Sequence, residues 1–169
     1  MTATSSVGRR RQCQTQLKEP IWTHRGCTSA HRKYICEVKL TEAEFGVAAN
    51  DVAHQKKLKD TYEPRLRDHV RASRLEASVF FQSYQILRNL WHAAGSPDSY
   101  VVFLFPRQHH VLSHLLNPVL DDATSALRDR VIVAHAEDVL ASIMLDQSCP
   151  LHLRAYADRL SQKYLLATP

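Results

Sequence analysis

The segment Lys33-Tyr-Ile-Cys-Glu-Val-Lys-Leu40 decides the fold. Its aromatic and β-branched residues recur with a period of two, which predicts a β-strand over 33–40. One face of this strand is apolar or amphipathic, and it consists of Tyr34, Cys36, Val38 and Leu40. The other face carries Glu37 and Lys39 together with Ile35. Because an unpaired buried charge is costly, this charged face must meet a cleft, an ion or a mutual partner.

The pair Glu37 and Lys39 is suited to metal-dependent chemistry at a phosphate. A carboxylate supplies the oxygen ligands that Mg²⁺ prefers. A neighbouring lysine can orient a water molecule or stabilise the charge of a phosphoryl group. The two residues alone leave a second interpretation open, which is an edge strand with an exposed charged face.

A short helix and a long helix are predicted downstream of this strand. Thr41 and Glu44 have the spacing of a capping box, so a short helix should begin after Thr41. Residues 50–70 are rich in charge and histidine, and they predict surface helix and loop. From Arg71 to about Ala94 the apolar residues recur at steps of three and four, which predicts one long amphipathic helix. Its second, polar stripe consists of Ser78, Gln82, Gln85, Asn89 and His92.

The C-terminal half of the chain alternates strands and helices. The continuous apolar run 100–105 predicts a strand that is buried on both faces, and 131–135 predicts another short strand. Helices are predicted over 107–120, 136–146 and 151–166. This alternation predicts an α/β layer architecture. We expect one domain over 13–169, preceded by a disordered basic tail over 1–12.

The scarcity of glycine excludes two large classes of enzyme. The 169 residues include only 4 glycines, and no two of them are close in sequence. The phosphate loops of Rossmann-type enzymes and of P-loop NTPases need clustered glycines, so that backbone amides can approach a phosphate. We therefore expect no nucleotide cofactor, and any chemistry at a phosphate must use side chains and a metal.

Positive charge is concentrated in the N-terminal quarter of the chain. The formal net charge is +5, and residues 1–39 hold 8 basic and 2 acidic side chains, whereas the remainder holds 14 and 15. A local basic surface favours a polyanionic partner, most often nucleic acid. For Arg9, Arg10 and Arg11 the alternative is a basic tail without a binding role.

Cysteine usage and hydropathy predict a cytoplasmic protein with free thiols. None of the 4 cysteines forms a C-x-x-C pair, the chain begins with polar and basic residues, and no apolar run approaches the length of a membrane span. We expect no membrane contact. A zinc site is a weaker alternative, since no pair of cysteines has the spacing that zinc sites usually show. Its ligands would be drawn from Cys13, His24, Cys27, His31 and Cys36.

Two motifs together resemble the PD-(D/E)XK nuclease superfamily. They are Cys36-Glu-Val-Lys-Leu-Thr-Glu-Ala-Glu-Phe-Gly46 and Phe81-Gln-Ser-Tyr-Gln-Ile-Leu-Arg-Asn89. Within the superfamily the chain looks like the bacterial restriction-endonuclease-like proteins, over roughly residues 14–145. The resemblance implies a restriction-endonuclease-like core of a helix, three antiparallel strands, a helix and a strand. In such a core a mixed central sheet is flanked by helices.

The resemblance also implies roles for individual residues. Glu37 would bind Mg²⁺ or Mn²⁺ beside the Val38 carbonyl, and Lys39 would position or activate the attacking water. Gln85, or Gln82 one turn earlier, would face the same cleft and assist. The implied reaction is hydrolysis of DNA phosphodiester bonds. Contacts with the nucleic acid would come from Arg9, Arg10, Arg11, Arg32, Lys33 and Arg88.

The segment before this strand departs from the superfamily pattern. A strand is expected at about 14–19 with an acidic metal ligand, usually Asp, but Lys18 stands there and Glu19 follows it. A shift by one residue puts Glu19 on the wrong face of the strand. A local bulge would restore it as a metal ligand. Three hypotheses follow: a metal-dependent nuclease, a catalytically impaired member that binds nucleic acid, and an interaction module that keeps only the scaffold.

Overall fold

Three strands form a parallel sheet at the centre of the fold. The structure is a computed structural model, and it describes residues 32–165. The strands lie side by side in the order β1, β2, β3, with Glu37 of the first beside Phe103 of the second. Their bounds are β1 Lys33–Val38, β2 Ser99–Phe105 and β3 Val131–His135. The α/β class that the sequence predicts is confirmed.

Helices occupy both crossovers and the chain after β3. The first crossover contains α1 (Val52–Lys57), a π turn (Leu58–Tyr62), α2 (Glu63–Leu66), a 3-10 turn (Ala72–Leu75), α3 (Ala77–Gln82) and α4 (Tyr84–Ala94). The second crossover contains α5 (His110–Asp121) and α6 (Ser125–Arg128). After β3 follow α7 (Ala136–Leu145) and α8 (Leu151–Tyr164). Of these described helices, none is long and apolar enough to cross a membrane.

The described sheet is parallel throughout, whereas the resemblance implied a mixed one. Both strand pairs run parallel, and each is joined by a long helical crossover, as parallel pairing requires. Of the three implied antiparallel strands, one is the strand with Glu37 and Lys39, and the other two would precede Lys33. That part of the chain, including the predicted tail over 1–12, lies outside the described residues, so the mixed sheet stays a prediction.

The core lies between the sheet and the helices of the first crossover. On the central strand β2, the side chains of Val101, Phe103 and Phe105 are at most 1% exposed. From α4, Leu87 and Leu90 are fully buried in the same apolar cluster. Full burial of each such side chain stabilises the fold by about 1.5–3 kcal/mol. The packing of α4 against β2 therefore fixes the position of α4 relative to the sheet.

The long helix predicted from Arg71 to Ala94 is interrupted, because another segment hydrogen-bonds into it. In a continuous helix the amide of Gln85 would donate to the carbonyl of Phe81. Here the Ala48 amide donates to the Phe81 carbonyl at 3.0 Å, and the Gln85 amide donates to the Gly46 carbonyl at 3.0 Å. The backbone groups released at the break between α3 and α4 are thus satisfied by residues 46–48.

The short helix predicted after Thr41 is absent, and residues 40–50 are irregular. The side chain that reaches back is Glu42, not Glu44: its Oε2 accepts from the amides of Leu40 and Thr41 at 3.0 and 3.2 Å. A capping box depends on the residue at the third helical position, so this alternative bonding removes its driving force. Phe45 is then 3% exposed and anchors the segment in the core.

The core packing predicts a large difference between two identical substitutions. We expect Leu87→Ala, at a fully buried position of α4, to lower the free energy of unfolding by about 2–5 kcal/mol. Leu145→Ala, at the 77% exposed end of α7, should change it by less than about 0.5 kcal/mol. Urea unfolding followed by circular dichroism measures both, and equal losses would contradict this position of the core.

Candidate active site

The carboxylate of Glu37 is held by two amide side chains of α4. Gln85 donates from Nε2 to Oε1 of Glu37 at 2.6 Å, and Asn89 donates from Nδ2 to Oε2 at 3.1 Å. Gln85 and Asn89 lie one helical turn apart, so both amides point to the same side of α4. The side chain of Glu37 is 19% exposed, which leaves it reachable from solvent. Its two oxygens are therefore fixed in position at the rim of the core.

Lys39 completes this group as a buried cation. Its Nζ lies 3.7 Å from Oε1 of Glu37, and its side chain is 10% exposed. The Lys39 amide donates to the Leu104 carbonyl at 2.9 Å, which continues the pairing with β2 one residue beyond β1. A cation this poorly solvated interacts strongly with any charge that approaches it, because little water screens it.

The charged face of β1 points inward, and the apolar face points away from the core cluster. Ile35, Glu37 and Lys39 are half-buried or buried, whereas Tyr34 and Val38 are each 46% exposed. The amides of α4 and the Glu37–Lys39 pair make this orientation possible, since they supply the partners that buried charges need. Of the alternatives expected from the sequence, the mutual partner is thus present.

Residues 46–48 fix the orientation of Gln85. The Gly46 amide donates to Oε1 of Gln85 at 2.6 Å, so one end of the Gln85 amide is bound by Gly46 and the other end binds Glu37. A Cβ at position 46 would lie 3.1 Å from Oε1 of Gln85, so glycine permits this close approach. The interruption between α3 and α4 therefore serves the site, because it brings Gln85 against both Gly46 and Glu37.

The structure separates the members of the predicted polar stripe. Gln85 lies at the site, whereas Gln82, the sequence alternative to it, is exposed on α3. In a continuous helix, Gln82 and Gln85 would lie on nearly the same face. The non-helical backbone of Ser83 separates α3 from α4, so the two glutamines point in different directions. Asn89 is 4% exposed, and it belongs to the predicted polar stripe although the resemblance assigns it no role. Its spacing of four from Gln85 is the sequence feature that identifies it.

Two carboxylates interact with Lys39. Backbone N–H groups of Glu42 and Thr41 hold the pKa of the Glu42 carboxyl below its ordinary value, and the Lys39 ammonium adds to this lowering. The Glu42 carbonyl also bonds to Nε2 of His109 at 2.9 Å, which ties the segment after β1 to the beginning of α5. Glu42 is exposed, so Glu37 remains the carboxylate of the buried group.

The described residues alone do not form a divalent-cation site. Over 32–165 no group of three or more His, Cys, Asp or Glu side chains lies close enough to hold a metal ion. Glu37 brings one carboxylate beside the Val38 carbonyl, and both of its oxygens already accept from amide donors. Mg²⁺ in proteins is usually bound through one or two carboxylates and keeps several water molecules, so the described residues supply part of such a site.

Several predicted residues fall outside the described part of the chain. They are Glu19 and the neighbouring Lys18, Arg9, Arg10 and Arg11, and four of the five zinc candidates: Cys13, His24, Cys27 and His31. Of the remaining predicted nucleic-acid contacts, Arg32, Lys33 and Arg88 are all exposed. The Arg32 guanidinium lies 5.8 Å from the ring centre of Tyr100, on the face of the sheet opposite Glu37.

Comparison with known proteins gives one match. A family model described as "Restriction Endonuclease associating with ARP" (REase-ARP) matches residues 23–165. The matched region extends from before β1 to the end of α8, and it includes Glu37, Lys39, Gln85 and Asn89. Neither the curated proteins nor the solved structures contain a match to this chain.

The two glutamines predict different effects on stability. Gln85→Ala removes a donor from Glu37 and leaves the Gly46 amide without its acceptor, so we expect a loss of about 1–3 kcal/mol. Gln82→Ala, on the exposed face of α3, should change the free energy of unfolding by less than about 0.5 kcal/mol. Urea denaturation compares the two variants, and a neutral Gln85→Ala would show that the Gly46–Gln85–Glu37 bonding does not stabilise the fold.

Proposed function

Because the chain belongs to the REase-ARP family, we propose that it is a nuclease that hydrolyses DNA phosphodiester bonds at the site of Glu37, Lys39 and Gln85. The observation that carries this proposal is the Glu37 carboxylate, held by two amides and placed 3.7 Å from a buried lysine. The amide donors on both oxygens hold this carboxylate in one orientation beside Lys39. An arrangement that fixes both oxygens suits a carboxylate that must keep one orientation during a reaction.

Lys39 acts on the phosphate or on the attacking water. Its ammonium offers three donors, and it lies 3.7 Å from Oε1 of Glu37, at ion-pair distance. Negative charge on a phosphoryl group increases towards the transition state, and a poorly solvated cation stabilises that charge more than a cation in water does. Glu37 keeps Lys39 in place, and Gln85 keeps Glu37 in place.

The proposed reaction uses Mg²⁺ or Mn²⁺, with ligands from two parts of the chain. Glu37 and the Val38 carbonyl would supply two of the oxygen ligands. A second carboxylate would come from outside residues 32–165, and Glu19 is the candidate that the sequence offers. Hard divalent cations prefer such oxygen ligands and keep several water molecules.

A second candidate function is binding of DNA without cleavage. It is favoured by the fact that residues 32–165 hold no cluster of three or more potential metal ligands. Lys18, which stands in the position of the expected acidic ligand, would also disfavour binding of a metal ion. Arg9, Arg10, Arg11, Arg32, Lys33 and Arg88 would then bind the DNA backbone electrostatically.

The nuclease proposal predicts loss of activity from two substitutions. With Mg²⁺ or Mn²⁺ present, Glu37→Ala and Lys39→Ala should each lower the rate of plasmid nicking by about 10²-fold or more. Glu44→Ala, which removes an exposed carboxylate from the same region, should keep the wild-type rate. Chelation of the cation should abolish nicking by the wild type.

Equal nicking by wild type and by both site variants would reject the nuclease proposal. Absence of nicking in every protein, together with DNA affinity that falls steeply with salt, would select the binding function instead. Circular dichroism of Glu37→Ala and Lys39→Ala separates loss of chemistry from loss of fold.

A further inference from the structure

A second cluster of cations lies at the opposite end of α4 from Glu37. The first turn of α4 carries Gln85 beside Glu37, and its last turn carries His92 beside Lys33, the first residue of β1. The helix therefore runs antiparallel to the strand along its length. A cavity of about 570 Å³ opens at this end, and its lining includes Lys33, Arg65, Trp91, His92, Asp98 and Ser99.

The position of Arg65 in this cavity is fixed by an aromatic platform. Its guanidinium lies 4.0 Å from the ring centre of Trp91, which is the distance of a close cation–π contact. The Trp91 ring is itself anchored, because its Nε1 donates to the Thr61 carbonyl at 3.0 Å. Arg65 remains exposed, so its donors face the cavity and the solvent.

The charges around His92 are mostly positive. Burial lowers the pKa of His92, and the charges of Lys33, Arg88 and Arg65 lower it further. Asp98 is the acidic residue in the lining, and its carbonyl accepts from the Lys33 amide at 2.9 Å. The lining thus holds two cations, Lys33 and Arg65, against the carboxylate of Asp98, and Arg88 adds positive charge near His92.

We propose that this cavity is a second DNA-binding subsite, in which Lys33, Arg65 and His92 hold a backbone phosphate of the same duplex that reaches Glu37. This inference rests on the proposed function, in which DNA binds at Glu37. The second subsite would make that DNA run along α4. An anion is the ligand that the charge favours, and the fixed fork of Arg65 suits a phosphate. Arg88, exposed on α4 between the two ends, lies along the same path.

The two ends of α4 lie far enough apart to reach two separate phosphates of one duplex. Lys33 and Glu37 are four residues apart on a strand, which is about 13 Å. Gln85 and His92 are seven residues apart on a helix, which is about 10 Å. Duplex DNA advances by about 3.4 Å per base pair, so the subsite would lie about three to four steps from the reacting phosphate.

The test compares the salt dependence of DNA affinity in two charge-matched double variants. Lys33→Gln with Arg65→Gln removes the proposed contact, and Lys59→Gln with Arg159→Gln removes two exposed cations elsewhere. The cavity variant should weaken binding of a short random-sequence duplex and lower the slope of log K against log salt by about 0.9. The control variant should keep the wild-type slope.

Two outcomes would overturn the subsite. One is an unchanged slope in the cavity variant, and the other is an equal decrease in the cavity and control variants. Because Arg65 packs on Trp91, Lys33→Gln alone is measured as well, with Lys59→Gln as its match. The side chain of Lys33 is exposed, so Lys33→Gln should leave the core packing unchanged. A lower salt slope in Lys33→Gln than in Lys59→Gln would therefore support the subsite.

The same measurements keep the subsite separate from the catalytic proposal. Suppose that Glu37→Ala no longer nicks DNA and that the cavity variant keeps the wild-type slope of log K against log salt. This result would support the nuclease and reject the subsite. A lowered slope in the cavity variant of a protein that does not nick DNA would retain the subsite and reject the nuclease.

We also expect His92 to make the DNA affinity depend on pH. A phosphate in the cavity offsets the charges of Lys33, Arg65 and Arg88, so it raises the pKa of His92 on binding and favours uptake of a proton. DNA affinity of the wild type should therefore increase as the pH falls from neutral into the acidic range, and His92→Gln should remove that part of the increase. An identical pH profile in both proteins would exclude His92 and overturn this assignment.

Discussion

The hydrogen bonds on the two oxygens of Glu37 are the interactions on which the rest of the structure depends. A strand with two charges on its inward face could not pack against a helix unless the helix supplied partners. Gln85 and Asn89 supply them, and their amides allow α4 to lie close to β1 while its other face packs its leucines against β2. The polar site and the apolar core thus use two sides of the same helix. The contacts of α4 with β1 and its contacts with β2 therefore depend on each other.

The sequence predicts the elements whose pattern is local, and it misses those that depend on distant contacts. β1, β2 and β3 follow from alternation and from continuous apolar runs, and the pairing of Glu37 with Lys39 follows from their spacing on a strand. The break between α3 and α4 could not be predicted, because its cause is the bonding of residues 46–48, almost forty positions away. The absent helix after Thr41 has a local cause that the capping-box pattern conceals, since a second glutamate competes for the same amides.

The candidate site shows the same division between what is local and what is distant. The polar stripe indicates that amides face a cleft, but the pattern treats Gln82 and Gln85 alike, and only the break at Ser83 distinguishes them. The cavity near His92 combines residues from four separate segments, so no single motif contains it. Arg65, which lies in a stretch predicted as surface helix and loop, gains its place there from Trp91.

The bonds that orient the Glu37 carboxylate join positions 39, 48 and 52 residues apart in sequence. Contacts of such separation require large loops to close first, and that closure is opposed by chain entropy. Helices such as α4 and α8 can form from short-range contacts alone, long before Gly46, Gln85 and Glu37 meet. The site therefore exists only in molecules in which these distant parts of the chain have come together.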